Sequence, residues 1–179
     1  MDGIFTENKT LEIEKVKENL INIKDIDIHL MVKDIKNYVD KVLIFKPKFI
    51  TFHIEAIENP NEFIKYIKEK NIKVGIAINP KTSLEKIYPY LKDIDLVLVM
   101  SVQAGKGGQK FIDISSKIEE IYNYREKNKL NYIIEVDGGI NNETISKVKK
   151  ADLIVVGSYI TDSNNYKEKV EELRKCYNE

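Results

Sequence analysis

The sequence has a single cysteine, no tryptophan and no surplus of charge of either sign. Cys176, the one cysteine among 179 residues, stands near the end of the chain, which excludes an internal disulfide framework and a cysteine-based zinc site. The 29 Lys and Arg residues balance 29 Asp and Glu residues, whereas a general nucleic-acid-binding protein needs a basic surplus to neutralise phosphates. No apolar run approaches the roughly 20 residues that span a bilayer. We therefore expect a cytoplasmic globular protein that binds neither nucleic acid nor membrane.

The composition and length indicate one folded domain. Hydrophobic residues make up 42% of the chain and charged residues 32%, the balance of an ordinary globular protein. A chain of this length allows one domain of good size and leaves little room for two, so we expect a single domain over residues 1–179. The opening segment, MDGIFTENKT, has neither the basic nor the apolar region of a secretory signal.

Six short apolar runs rich in Ile and Val recur along the chain. Each run is closed by a turn former or a polar residue, as buried strands are. Their starts lie 22 to 35 residues apart, which leaves room for one helix and two loops between successive strands, the βα repeat of a parallel sheet. The predicted strands cover residues 25–32, 49–55, 73–79, 96–102, 131–138 and 153–159.

Charged amphipathic stretches separate these runs and predict helices. Residues 113–129 place Ile114, Ile118 and Ile121 on one apolar stripe. Thr82 or Ser83 before the second predicted helix, and Asn141 before the fourth, are of the residue types that cap helix N-termini. The predicted helices cover residues 61–71, 84–91, 113–129, 142–150 and 165–177.

The positions of the glycines decide between two parallel-sheet architectures. An open doubly wound sheet predicts a glycine fingerprint after its first strand, but the first run here is followed by KDIK. Late glycines favour a (β/α)8 barrel, whose phosphate site is typically built by the loops after its last two strands. Because a full barrel usually needs at least ~200 residues, we expect an incomplete TIM barrel of six βα units plus a stub. The late glycines are Gly105, Gly107, Gly108, Gly138, Gly139 and Gly157.

Polar side chains end several of the predicted strands, where a barrel keeps its active site. The candidates are His29, His53, Glu55, Asn79, Ser101 and Asp137. His29 and His53 are the two histidines of the chain, and Asp137 ends a third strand. A lone strand histidine is more commonly a core residue, but two of them with an aspartate favour a site. Imidazole and carboxylate suit a divalent metal, and an aspartate beside a metal can transfer a proton. Asp137 is therefore the predicted catalytic residue.

Glycines follow two consecutive late strands. Gly138 and Gly139 come directly after Asp137, and Gly157 with Ser158 ends the next strand. Such turns let the backbone approach a ligand and point amides at an anion, although each could also be only a tight βα turn. Together they favour phosphate binding. The glycine-rich loop at residues 103–109 could fold over a substrate as a lid.

Seven segments, in matching order and spacing, carry a family resemblance. They are MDGIF, DIHLMV, ITFHIEA, GIAINPKT, DLVLVMSVQAGKGGQKF, IEVDGGIN and VVGSYI. This set resembles the ribulose-phosphate 3-epimerase family from Met1 to about Ser158. The resemblance implies a barrel of the ribulose-phosphate-binding type with a divalent metal (zinc or iron, with manganese or cobalt as further candidates). It also implies epimerisation of D-ribulose 5-phosphate to D-xylulose 5-phosphate through an enediolate, in the pentose phosphate pathway.

The resemblance assigns roles to individual residues. His29 and Asp137 match metal ligands, and Asp137 also matches a general acid/base. His53 matches a position that is not a ligand, so we expect it in the core. A phosphorylated ketose as substrate and a homo-oligomeric assembly are further expectations. The phosphate-binding positions are matched by Gly138, Gly139, Gly157 and Ser158, and the glycines of a flexible substrate-binding loop by Gly107 and Gly108. The methionines that crowd the reacting carbon are matched by Met1, Met31 and Met100.

The departures from the family pattern are as informative as the matches. The family's MDG follows an H-x-D motif that supplies another metal-ligand histidine and a second catalytic aspartate, and this sequence begins at MDG. We therefore expect weakened metal binding and little or no epimerase activity from these 179 residues. Three hypotheses stay open: an epimerase whose front segment is encoded or supplied elsewhere, a degenerate barrel that binds a phosphorylated ligand or partner, and an epimerase for a hexulose 6-phosphate.

Overall fold

The strands form one parallel sheet in which chain order is also spatial order. The computed structural model describes residues 1–20, 23–105 and 108–178. The strands are β1 (Asp27–Leu30), β2 (Phe49–His53), β3 (Lys73–Ile78), β4 (Leu96–Met100), β5 (Ile133–Asp137) and β6 (Leu153–Val155). Neighbouring strands pair in parallel from β1 to β6, which confirms the predicted βα repeat.

Every predicted strand is present, and all are shorter than the predicted runs. β1 starts after Asp25, because the φ of 55° at this residue is left-handed and not extended. β6 ends at Val155 because the backbone turns at Gly157 and a helix begins at Ser158. The apolar runs therefore locate the strands correctly and overestimate their ends.

Helices connect the strands on the outer side of the sheet. They are α1 (Ile13–Asn19), α2 (Ile35–Val42), α3 (Pro60–Lys68), α4 (Ser115–Asn128), α5 (Ser158–Thr161) and α6 (Tyr166–Asn178). The predictions at 61–71, 113–129 and 165–177 are confirmed, whereas 84–91 and 142–150 form short 3-10 turns instead of α-helices. Pro89 lies inside the first of these stretches and cannot donate to an α-helical ladder. Helices α1, α2 and α5 were not predicted.

The sheet curls as part of a barrel. His29 on β1 and Asp137 on β5 approach within 3.9 Å, although four strand steps of about 4.8 Å would separate them by roughly 19 Å in a flat sheet. The fold class is thus a (β/α) barrel with an open side between β1 and β6 among the described residues. On that open side, Leu153 and Val155 of β6 are 41% and 39% exposed.

Alternation along the strands divides the core into two layers. Ile50, Phe52 and Val74 face the helices, while Leu96, Leu98 and Met100 pack on the inner face of the curl. His53 is fully buried, in agreement with its predicted place in the core. None of the helices in the described part of the chain combines the length and apolar character that a bilayer span requires.

Candidate active site

A cavity of about 210 Å³ opens at the carboxyl ends of the strands. This is the end of the sheet at which a barrel carries its chemistry. Most of the residues predicted for the site line this one cavity, while Gly107 lies outside the described residues. The predicted residues in its wall are Met1, Met31, Met100, Gly108, Asp137, Gly138, Gly139, Gly157 and Ser158.

Asp137 ends β5 beside Met100, its register partner on β4. Its main-chain carbonyl accepts from the Ser101 amide at 2.9 Å, which fixes the backbone and leaves the side chain directed at the cavity. The side chain is 28% exposed, and burial raises the pKa of this carboxyl above its ordinary value. A carboxylate with a raised pKa is a stronger base and is suited to exchanging a proton with a carbon acid.

His29 lies beside Asp137 rather than in the wall of this cavity. Its Nδ1 is 3.9 Å from Oδ2 of Asp137, and the histidine lines a neighbouring cavity of about 570 Å³ next to α1. Burial lowers the pKa of His29 well below its ordinary value, so the ring is neutral at pH 7. A neutral imidazole is the form that binds metals.

The His29–Asp137 pair suits a divalent metal as part of its ligand set. Imidazole nitrogen and carboxylate oxygen are donors that zinc and iron accept, and with the two atoms 3.9 Å apart His29 and Asp137 would hold one ion together. Over residues 1–20, 23–105 and 108–178, no cluster of three or more His, Cys, Asp and Glu side chains converges as a complete site. The two donors therefore fit a metal without completing its coordination.

The turn after Asp137 requires its two glycines. Gly138 and Gly139 have φ values of 119° and 60°, which L side chains rarely adopt. A Cβ on Gly138 would collide with Cγ2 of Val102, and one on Gly139 would lie 2.8 Å from the amide nitrogen of Phe111. The tight-turn interpretation is therefore correct sterically, and the same turn lies in the cavity wall.

Gly157 has a different environment. A Cβ there would meet no atom within 4 Å. Packing therefore does not require glycine at this position. The open space above the backbone belongs to the cavity, where a ligand can approach the main chain closely.

The glycine-rich loop is anchored at its described end. The Gly105 carbonyl accepts from Nδ2 of Asn8 at 2.5 Å, and a Cβ on Gly105 would collide with the side chain of Thr6. On the other side, the Ala104 amide donates to Oδ1 of Asn79 at 3.0 Å. The segment at residues 1–10 and the loop after β3 therefore both hold the start of the predicted lid.

Two acidic residues of the opening segments have structural contacts that the sequence did not reveal. Asp2 accepts hydrogen bonds from the amides of Ile4, Phe5 and Lys33 at 2.7–2.9 Å, so its carboxylate fixes a loop. Asp27 on β1 and the buried Glu135 on β5 form a carboxyl pair, and burial together with that neighbour raises the pKa of Glu135.

Glu55 is the residue of this region that sequence reasoning left without a role. It accepts from Nδ1 of His53 at 3.0 Å, from the Asn79 amide at 2.8 Å and from the Thr82 hydroxyl. Burial opposes ionisation, but these hydrogen bonds outweigh it and lower the pKa of Glu55 to about 2. The only signal in the sequence is the His-Ile-Glu order at the end of a buried strand.

Comparison with known proteins identifies relatives over nearly the whole chain. The model of the ribulose-phosphate 3 epimerase family matches residues 1–161. A ribulose-phosphate 3-epimerase of Buchnera aphidicola (subsp. Schizaphis graminum) is 36% identical over 98% of this chain and 79% of its own length. The Bacillus subtilis enzyme of the same name is 36% identical over 97% of this chain and 82% of its own length.

A solved structure supports the fold independently. The 3-keto-L-gulonate-6-phosphate decarboxylase of Vibrio cholerae superposes with a TM-score of 0.62 at 14% identity. The match covers 93% of this chain and 77% of that chain. At this identity the likeness concerns the fold alone.

Proposed function

The chain belongs to the ribulose-phosphate 3-epimerase family, and on that premise we propose that it transfers a proton at C3 of a phosphorylated ketopentose, with Asp137 as the group that carries it. The observation behind this proposal is the position of Asp137. It lines the cavity between Met100 and the Gly138–Gly139 turn. A carboxylate thus stands next to a backbone turn of the kind that binds anions.

The phosphate of the substrate binds at the two glycine turns in this proposal. Gly138 and Gly139 turn their backbone around the cavity at positive φ, and Gly157 leaves open space above its main chain. Main-chain amides at such turns are suitable donors to phosphate oxygens. With its phosphate held there, the sugar extends across the cavity towards Asp137.

The reaction step itself needs one base and an environment that limits water. The Asp137 carboxylate removes the proton from C3, and the electron pair of the C–H bond moves into an enediolate over C2 and C3. Met1, Met31 and Met100 line the same cavity, and their thioether side chains shield this intermediate from solvent. Return of the proton to C3 from Asp137 restores the starting epimer, and delivery to the opposite face gives the inverted one.

Membership of the family suggests a dependence on divalent metals in general. Bound between His29 and Asp137, a metal would polarise the C2 carbonyl and stabilise negative charge on the neighbouring oxygens. Zinc or iron suits this imidazole and carboxylate pair, and we include them in the proposal. Neither the pair's 3.9 Å separation nor its chemistry selects between the two metals.

Inversion of a carbon needs an acid or base on each of its faces. Among the described residues, Asp137 is the one carboxylate that lines the cavity. We therefore expect these residues to exchange the C3 proton with solvent faster than they invert C3.

The broader expectations enter the proposal as well. A place in the pentose phosphate pathway and a cytoplasmic location are consistent with relatives that are named ribulose-phosphate 3-epimerases. Homo-oligomer formation is consistent with the exposed apolar side chains of Leu153 and Val155 on an edge strand. We also propose that residues 1–179 act as one barrel domain.

The experiment follows hydrogen exchange at C3 in D₂O. The purified chain with added Zn²⁺ or Mn²⁺ is incubated with D-ribulose 5-phosphate, and deuterium at C3 and formation of D-xylulose 5-phosphate are followed together by NMR. We expect deuterium to enter C3 faster than the inverted sugar accumulates. Absence of exchange, even with a hexulose 6-phosphate as substrate, would overturn the proposal and favour a barrel that only binds phosphorylated ligands.

A further inference from the structure

A line of three side chains, with the fully buried His53 between the partly exposed His29 and Glu55, runs from the edge of the cavity into the protein. His29 Nε2 lies 2.8 Å from His53 Nε2, and His53 Nδ1 lies 3.0 Å from Oε2 of Glu55. The two imidazole rings are stacked with centroids 4.9 Å apart. The other nitrogen of His29, Nδ1, faces Asp137. All four ring nitrogens of the two histidines thus have a defined neighbour.

Glu55 determines where the hydrogens of this line lie. An ionised carboxylate only accepts hydrogen bonds, and Glu55 accepts from the Asn79 amide and the Thr82 hydroxyl as well as from His53. The hydrogen between Glu55 and His53 therefore belongs to Nδ1 of His53. A neutral imidazole carries one N–H, which leaves a lone pair on Nε2 of His53.

In the state in which His53 is neutral, the second contact has only one arrangement. Because Nε2 of His53 offers a lone pair, the 2.8 Å contact requires the hydrogen to sit on Nε2 of His29. A neutral His29 protonated at Nε2 carries its free lone pair on Nδ1. That lone pair points to the side of Asp137.

The far end of the line is held rigidly. Lys117 donates from Nζ to the carbonyls of Pro80 and Thr82, each at 2.6 Å, and to that of Asn79 at 3.3 Å. These contacts fix the loop after β3 that supplies two of the donors to Glu55. The orientation of the Glu55 carboxylate is thus set by the fold and not by the cavity.

We propose that His53 and Glu55 are positioning residues that fix His29 in its Nε2–H tautomer and aim the Nδ1 lone pair at Asp137. This inference rests on the proposed function in that it makes His29 Nδ1 the atom available to a metal or to a polar group of the substrate. Histidines at metal sites are commonly oriented by such a partner on the ring's other nitrogen. Neither His53 nor Glu55 touches the substrate in this account.

Replacing Glu55 with glutamine makes the proposal sharply testable. Oε1 of the glutamine is retained by the Asn79 amide and the Thr82 hydroxyl, so the NH₂ group faces His53. His53 must then accept at Nδ1 and carry its hydrogen on Nε2, which donates to His29. Glu55→Gln therefore reverses both tautomers and places the His29 hydrogen on Nδ1, towards Asp137.

The measurement is a long-range ¹H–¹⁵N correlation spectrum of protein labelled with ¹⁵N-histidine. With two histidines in the chain, four ring nitrogens are observed, and His53→Gln assigns them. At about pH 8, above the ordinary histidine pKa of about 6.5, we expect N–H at Nε2 of His29 and at Nδ1 of His53. Glu55→Gln should move both hydrogens to the other ring nitrogens, and Glu62→Gln, an exposed change on α3, should move neither.

The proposal has several ways to fail. A wild-type His29 protonated at Nδ1, a His53 protonated at both nitrogens, or a Glu55→Gln protein with unchanged tautomers would each overturn it. If Glu55→Gln does not fold, the wild-type spectrum alone decides between the two tautomers. Because the spectrum needs no turnover, a correct tautomer without C3 exchange contradicts the proposed function and leaves this inference standing.

Discussion

Nδ1 of His29 and Oδ2 of Asp137 lie 3.9 Å apart, although three strands separate the two residues in the sheet. The contact exists because the sheet curls and brings the carboxyl ends of β1 and β5 together. Different residues position the two partners. His53 contacts Nε2 of His29 and orients its ring, and Ser101 donates to the main-chain carbonyl of Asp137. Both proposals for the site depend on this pair.

Zinc binding should depend on both members of the pair. We expect His29→Ala and Asp137→Asn each to weaken Zn²⁺ binding at least about tenfold, because each removes one of the two donors that face each other. Isothermal titration calorimetry of the purified variants measures the change. Glu62→Gln serves as the control and should bind as the wild-type protein does. Unchanged affinity in both site variants would place the metal elsewhere.

Substitution of Gly138 and of Gly157 by alanine should distinguish effects on stability from effects on ligand binding. Gly138→Ala should lower the free energy of unfolding by about 1–3 kcal/mol, since the residue has a positive φ and its Cβ would meet Val102. Gly157→Ala should lower it less than Gly138→Ala does, because its Cβ meets open space.

The Gly157→Ala protein should nevertheless bind D-ribulose 5-phosphate more weakly, since the added methyl group enters the cavity in front of the backbone. Chemical denaturation and calorimetric titration measure the two effects separately. Equal ligand affinity in wild type and Gly157→Ala would argue against a phosphate at this turn.

The stability of the protein should fall with rising pH because of Glu135. This carboxyl is buried beside Asp27, and burial raises its pKa in the folded state. Between its ordinary pKa of about 4.3 and the raised value, the folded protein holds a proton that the unfolded chain has released. Rising pH therefore favours unfolding across this interval, by at most ~1.4 kcal/mol per pH unit for one proton.

Glu135→Gln removes that titration and should flatten the pH dependence over the same interval. Urea denaturation of both proteins at several pH values measures the difference. The hydrogen-bonded Glu55 has a lowered pKa of about 2, so its contribution is lost only as the pH falls below the ordinary glutamate range. A wild-type stability that rises between neutral and mildly alkaline pH would contradict the assignment to Glu135.

Much of the fold could be predicted because strand periodicity is a strong local signal. The six Ile- and Val-rich runs locate all six strands, and the late glycines indicate a barrel. Helix α2 was missed although Ile35, Val39 and Val42, its buried residues, follow the i, i+4, i+7 spacing. Its eight residues are too few for the pattern to stand out between two loops.

The predicted helices at residues 84–91 and 142–150 failed for a related reason. Short polar segments are held by tertiary contacts rather than by propensity. Ser83 accepts from the Glu85 amide at 3.3 Å, and Asn141 accepts from the amides of Glu143 and Thr144. Ser83 is therefore a correctly identified cap, whereas the N-cap of the second 3-10 turn is Thr144 and Asn141 begins the turn just before it.

The residues that line the cavity could be predicted from the sequence, whereas the residues that hold them in place could not. Strand-end polar residues and paired glycines are visible in sequence, which is why Asp137, Gly138 and Gly157 were singled out. The function of Glu55 was not visible, because its partners Asn79 and Thr82 lie on the following βα loop. Hydrogen bonds between loops depend on the folded geometry, and no local pattern records them.

The most direct test of the account compares C3 exchange in wild type and Asp137→Asn. General acid–base groups contribute roughly 10²–10⁴-fold to rate, and the asparagine amide cannot accept the proton. We predict that deuterium enters C3 of D-ribulose 5-phosphate with the wild-type protein and that Asp137→Asn slows this entry at least about 100-fold while the protein remains folded by circular dichroism. Exchange at the wild-type rate in folded Asp137→Asn would contradict the central claim.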